Sequence, residues 1–399
     1  MDIRFLPIGY EVAEYSKEIQ GIGNCERGIG NKIKSQEFSR VSKNMTDSLF
    51  IKNVLLSFQA SFQEHRKDLS AVIMTDKKYL WFGSDETTTI ERLSFIKPKK
   101  IAEHQQFRVA EFITLPRPED EEIDIEGLAC DGYYLWFTGS HSYKRKKVKS
   151  ENSDSKNISR LAKIESEQNR YILGRIPLID GQLLQSCPHP NKPEIQLNAA
   201  KLELTKDTNV LMAALADDPH LGAFIQAQIP GKDNGFDIEG LAVNQGRIFL
   251  GLRGPVLRGW AIILELEVED SLPGILKLRK MGEEKQKYKK HFVWLNGLGI
   301  RDLCWDGEDL LILAGPTMDL DGTVQVYRLK NGVNLQENVM NNPEFVQEIP
   351  HGDRNDKAEG MTLFSEITNE PSLLVVYDSP ADNRLVDESG VSADVFRLG

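Results

Sequence analysis

Two copies of Asp-Ile-Glu-Gly, Asp124–Gly127 and Asp237–Gly240, set pairs of carboxylates two residues apart, on one side of an extended chain. Glu359 opens a shorter version, Ala358-Glu359-Gly360, and Arg301-Asp302 stands at the matching place in another. Acids gathered by such phrases take up protons or recruit a cation, because like charges at close range raise each other's pKa. Hard oxygen donors without a Cys/His set suit Ca2+ or Mg2+ rather than zinc. The expected ligands are Asp124, Glu126, Asp237, Glu239 and Glu359, with Asp302 beside them. His141 lies between Ser140 and Ser142 just past the next strand; imidazole titrates near neutral pH, which makes it the expected general base. Arg253 follows the equivalent strand of the second phrase, and with Arg301 it is expected to hold the anionic group of a substrate; the second-strand ends are expected to bring Asp85 and Asp378 to the same rim as His141 and Arg253. Ser140-His141-Ser142 lacks the arrangement of a Ser-His-Asp triad, whose roles come from geometry and not adjacency. In the plainer reading each acid bonds backbone amides of a neighbouring repeat. The unequal copies, with Ser70 and Arg301 in the place of Glu126, favour an asymmetric pocket.

What positions these residues is a repeated hairpin. After Asp124-Ile-Glu-Gly-Leu-Ala-Cys come the turn Asp131-Gly132 and the apolar run Tyr134-Leu-Trp-Phe; after Asp237-Ile-Glu-Gly-Leu-Ala-Val come Asn244-Gln-Gly246 and Ile248-Phe-Leu-Gly251. Apolar strand, tight turn and apolar strand are the signature of a β-hairpin. Looser copies begin near Asp68, Gly299 and Ala358, so the positions aligned with Glu126 are 70, 239, 301 and 359. The spacing is roughly 60 residues, with one gap of about twice that, which is the pattern of a repeat architecture. Further strand candidates follow each hairpin, such as Ala261–Val268 and Thr323–Arg328. Four short strands per period predict an all-β chain, a single β-propeller, with the first strand of each blade lining the central channel. The last copy lacks a fourth strand, and Val54–Gln59 can supply it by pairing with Val395–Leu398, leaving no open edge. Five blades are favoured, with six as the alternative. The run Asn209-Val-Leu-Met-Ala-Ala-Leu-Ala reads as capped helix, so residues 181–236 are expected to be a helical insertion between motif copies two and three.

Composition narrows the rest. Radial repeats exceed the usual domain size, so residues 49–399 are expected to form one propeller, and residues 1–48, polar and glycine-containing, a poorly ordered arm. The chain carries a net charge of -11, and its one basic cluster, Lys144-Arg-Lys-Lys-Val-Lys149, runs into a polar stretch. A solvated, mobile loop is the expectation there, and a nucleic-acid partner is not expected, since a duplex reader needs a wider basic face. The four cysteines show no metal or redox spacing, and Cys130 and Cys304 fall within strand candidates. No apolar run approaches a membrane span and the first residues lack the pattern of a signal peptide, so a cytoplasmic protein without a membrane partner is expected.

Three further segments, Asp124–Ala129, Gly139-Ser-His-Ser142 and Gly251-Leu-Arg-Gly-Pro-Val-Leu-Arg-Gly259, together with Leu215–Leu221, resemble a bacterial domain family of unknown function over residues 60–399. The Glu-Gly strand starts are also similar, more distantly, to those of phytase-type esterases and of senescence-marker and paraoxonase-like lactonases. That likeness implies propellers whose channel Glu holds a divalent metal used to hydrolyse esters, and it reaches only Glu126, Glu239 and Glu359. The functional expectation is a divalent-metal propeller, a hydrolase acting on a small anionic ester, lactone or phosphoester at the channel mouth. Its alternative is a non-enzymatic scaffold that presents loops to a protein or ligand.

Overall fold

A computed structural model describes residues 49–96, 100–118, 121–352, 355–368 and 370–399. The expected N-terminal arm, 1–48, lies outside the described residues. Strand β1 (Phe50–Ser57) is followed by an antiparallel meander of β2 (Leu69–Thr75), β3 (Tyr79–Ser84), β4 (Thr89–Ile96) and β5 (Lys100–Arg108). A second set begins with β6 (Ile125–Asp131) and β7 (Tyr134–Gly139). The chain then leaves the sheet for a small hairpin, β8 (Lys144–Arg145) against β9 (Ile164–Glu165), with helix α1 (Asp154–Leu161) between them. It returns as β10 (Leu173–Ile179), the third strand of the set.

The segment expected to be a helical insertion is only partly helical. It holds the short β11 (Gln182–Leu183), the hairpin β12 (Ser186–His189) and β13 (Lys192–Asn198), and β14 (Ala200–Leu202), which pairs with β10 as a fourth strand. Helices α2 (Val210–Leu215) and α3 (Gly222–Gln226) come after it. A third set follows: β15 (Asp237–Asn244), β16 (Arg247–Gly254) and β17 (Trp260–Leu272), whose far end folds back as β18 (Ile275–Leu278) beside β14, then β19 (Lys289–Trp294). Next come β20 (Gly299–Asp306), β21 (Asp309–Gly315) and β22 (Val324–Leu329), with β23 (Met340–Asn341) against β19 and β24 (Glu344–Ile349) completing the sheet. The chain ends in β25 (Lys357–Leu363), β26 (Ser372–Asp378), the short β27 (Leu385–Val386) and β28 (Gly390–Arg397).

The first strands touch in a closed cycle: β2 with β6, β6 with β15, β15 with β20, β20 with β25, and β25 with β2. Apolar faces of neighbouring sets interleave, as in the cluster of Trp81, Ile125, Leu128 and Phe137, or that of Phe249, Ile300, Leu303 and Ile312. The fold is all-β and propeller-like. β1 pairs antiparallel with β28 beyond β26 and touches β5 at Leu56 and Ile101, so the two ends of the described chain close the cycle. The register differs from expectation. Val54 faces Ala393 and Leu56 faces Val391, several residues earlier than Val395–Leu398, because this alternation buries Val54, Leu56, Val391, Ala393 and Val395 together. No helix among the described residues is long and apolar enough to cross a membrane.

Candidate metal centre

One irregularity recurs in every first strand. The ladder with the second strand skips a residue between Leu69 and Ala71, Ile125 and Gly127, Ile238 and Gly240, Ile300 and Asp302, and Ala358 and Gly360. The unpaired residues are Ser70, Glu126, Glu239, Arg301 and Glu359, the aligned positions of the repeat. A β-bulge frees its extra residue from the ladder and re-aims the side chain. Convergence therefore comes from bulges and not from simple alternation, and Asp124, just before β6, adds a left-handed backbone (φ 61°) to the turn.

Two buried arginines sort the acids. Arg253, at the end of β16, lies 2.9 Å from Asp237 and donates to Glu239. Arg301 donates to Glu359 at 2.6 Å and lies 3.2 Å from Glu239. Asp237, Glu239 and Glu359 are thus neutralised by ion pairs, and both arginines serve these internal partners. Burial, with Asp378 nearby, still raises Glu359 to about 7; burial, against the pull of Arg253, raises Asp237 to about 7. Asp302 takes the plainer role: its carboxylate accepts from the backbone N–H of Leu303 and, on the neighbouring first strand, of Met361, both at 2.7 Å.

Asp85, Asp124 and Glu126 remain. One oxygen from each lies within 4.8 Å of the others. Asp124 Oδ1 accepts from Arg170 at 2.8 Å, while its Oδ2 is buried without a partner. Asp85 Oδ1 is also buried and unpartnered, and the Glu126 carboxylate has no hydrogen-bond partner among the described residues. Burial, then the charge of Asp124, pushes both Asp85 and Glu126 well above the usual carboxylate range. Three converging carboxylate oxygens could hold a metal ion, and oxygen donors of this kind suit hard cations. The expected ligands Asp124 and Glu126 belong to this group; Asp237, Glu239 and Glu359 do not.

His141 does not reach the centre. It is fully buried with φ 57°, and its Nδ1 donates to the Gly139 carbonyl at 2.8 Å. Nε2, 2.7 Å from the Asn209 side-chain amide, must then accept from it. Asn209 in turn caps α2, accepting from Leu211 and Met212 N–H. Burial pushes the imidazole down to about 4, so His141 is a neutral brace between β7 and α2 and not a general base.

The centre opens into a cavity of about 190 Å³ lined on its floor by Asp85, Asp124, Glu126 and Asp237. Its lining mixes charges: Lys144, Arg145, Lys146 and Lys147 from the β8–β9 hairpin stand with Arg170, Lys232 and Arg253, interleaved with Glu86, Asp233 and Asp319. The first half of the basic run is a held rim, while Lys147, Val148 and Lys149 are exposed as expected. Lys144 pairs with Glu122 at 2.6 Å, Arg145 with Asp233 at 2.7 Å and Lys146 with Glu165 at 2.6 Å. Arg170 and Lys232 carried no repeat signature, since one comes from the excursion after β7 and the other from the turn Gly231–Gly235. Asp85 had one: it follows Gly83-Ser84 as His141 follows Gly139-Ser140.

The family model described as "Protein of unknown function (DUF3616)" matches residues 68–394, and the chain belongs to that family. No curated protein matches it. Among solved structures, virginiamycin B lyase from Staphylococcus aureus aligns at 12% identity over 87% of this chain and 99% of its own, with a TM-score of 0.33. A luciferin-regenerating enzyme aligns at 9% identity over 87% and 98%, with a TM-score of 0.36. Hydrazine synthase from Kuenenia stuttgartiensis aligns at 10% identity and a TM-score of 0.30; it is covered by 80% of this chain, which spans only 58% of its length. Scores this low carry no argument about activity, and the fold assignment rests on the strand pairing.

Proposed function

We propose that this member of the DUF3616 family is a five-bladed propeller that binds one divalent cation, Ca2+ or Mg2+, at its channel mouth and hydrolyses small anionic esters or phosphoesters there. The observation that carries the reading is the meeting of Asp85, Asp124 and Glu126, with buried, unpartnered oxygens on Asp85 and Asp124, at a cavity also lined by Lys and Arg side chains. The five-fold count is supported by the cycle of first strands and their five bulges. A bound divalent cation supplies Lewis acidity at an ester oxygen. Lys232 and Lys147, which line the cavity without a carboxylate in direct contact among the described residues, orient the anionic group. Asp237, with Oδ1 buried and free, replaces His141 as the side chain available to accept a proton. Arg253 and Arg301 act indirectly, by holding Asp237, Glu239 and Glu359 in place.

Metal analysis of the purified protein, alongside turnover of aryl-ester, lactone and phosphodiester substrates, tests both halves. Bound metal with turnover lost in Glu126→Gln supports the proposal. Metal without turnover on any of them leaves the scaffold reading, in which the ion only stiffens the ring.

A further inference from the structure

We propose that the outward face of the β8–α1–β9 hairpin is a docking surface for an anionic lipid bilayer. Within a chain of net charge -11, residues 144–164 carry eight Lys and Arg against two acids, Glu151 and Asp154. The inner part of this charge is taken up by Glu122, Asp233 and Glu165, and Lys147 faces the cavity. Lys149, Lys156 and Lys163 are exposed, outside the cavity lining, and without a carboxylate in direct contact among the described residues.

Aliphatic side chains stand among them. Val148 is 56% exposed, Ile158 68%, Leu161 45% and Ile164 39%. Ile158 and Leu161 are three apart on α1 and share one face, with Leu161 also at the edge of the cavity. Single exposed apolar residues need no explanation. Four within one basic hairpin match the composition of a segment that lies in a bilayer interface, apolar tips among acyl chains and lysines at the headgroups. Residues 144–164 contain no aromatic side chain, so base stacking, on which single-stranded nucleic-acid binding relies, is absent. The rest of the molecule is strongly acidic and is repelled by the same surface, which leaves this face to make contact. The absence of a spanning helix is no obstacle, because a surface-bound segment needs none.

Co-sedimentation of the full chain with phosphatidylcholine vesicles, with and without phosphatidylserine, tests the proposal. Pelleting is expected only with phosphatidylserine, weakening as salt rises. Lys149→Gln/Lys156→Gln/Lys163→Gln should lower the partition coefficient by roughly fivefold per lysine, and Ile158→Ser/Leu161→Ser should lower it independently. All five positions are exposed, and unchanged melting temperatures confirm folding. No pelleting with phosphatidylserine overturns the proposal. So does binding indifferent to the Ile158/Leu161 pair but competed by soluble polyphosphate, which assigns the surface to an acidic macromolecule instead. Both results are independent of whether a cation binds at Glu126.

Discussion

At the residue scale, Glu126 and Glu239 look interchangeable in the sequence, and the structure separates them. Glu239 is enclosed by Arg253 and Arg301, while Glu126 has no direct cationic contact among the described residues. Glu126→Gln should abolish stabilisation by Ca2+, Mg2+ or Mn2+ in thermal melts, because a ligand that binds only the native state raises its stability. Glu239→Gln should keep that response yet cost about 1.5–3 kcal/mol, since Arg253 and Arg301 each lose one of two carboxylate partners. His141→Ala should leave the cation response intact and cost about 1–3 kcal/mol, since the Gly139 carbonyl and the Asn209 amide each lose one of their partners. Its pH signature is distinct. With the folded imidazole near 4 and an unfolded value of about 6.5, the unfolded chain binds the extra proton. The stability that wild type holds above about 6.5 is therefore lost as pH falls toward 4, and the variant's acid limb should be flatter in urea titrations.

At the element scale, the bulge imposes its own requirements. A Cβ on Gly127 would lie 2.7 Å from Leu241 Cβ and 3.0 Å from the Glu239 carbonyl, because adjacent first strands pack backbone to backbone. Gly127→Ala should destabilise by about 1–3 kcal/mol in denaturant unfolding. Closure of the ring predicts a contrast on one strand: Leu56→Ala should cost about 2–5 kcal/mol and exposed Leu55→Ala little. The hairpins were legible in sequence because apolar runs and Asp-Gly turns are local signals. The terminal closure was legible because a three-stranded remainder demands a partner. The bulges were not, since they exist only in the pairing register between two strands. Nor was the role of His141, whose partner Asn209 is 68 residues away. Arg170 and Lys232 come from segments without a repeat counterpart, so no alignment of copies could place them at the mouth.

For the whole molecule, the excess of buried acid sets a pH dependence opposite to that of His141. Asp237 and Glu359 titrate near 7 in the fold and near about 4 when unfolded, so the native state holds protons in that window that the unfolded chain has released. The stabilisation is complete below about 4 and is lost as pH rises through 7, by up to about 1.4 kcal/mol per unit for each group. In chelator, melting temperature should fall between pH 5 and pH 8 more steeply than in Glu359→Gln. Saturating divalent cation should offset the fall near neutral pH, because it neutralises Asp85, Asp124 and Glu126 where they would otherwise repel. A melting curve indifferent to both chelator and pH across this range would contradict the cation site and the proton count together.

Placing the chemistry on unpaired residues has a consequence for how such a molecule changes over generations. A ladder residue that mutates disturbs two strands, whereas a bulge residue can be exchanged while its neighbours keep every backbone bond. Ser70, Glu126, Glu239, Arg301 and Glu359 already display that freedom within one chain. The ring works as a row of sockets, and a lineage can re-equip the mouth for a new ligand one socket at a time without rebuilding the walls.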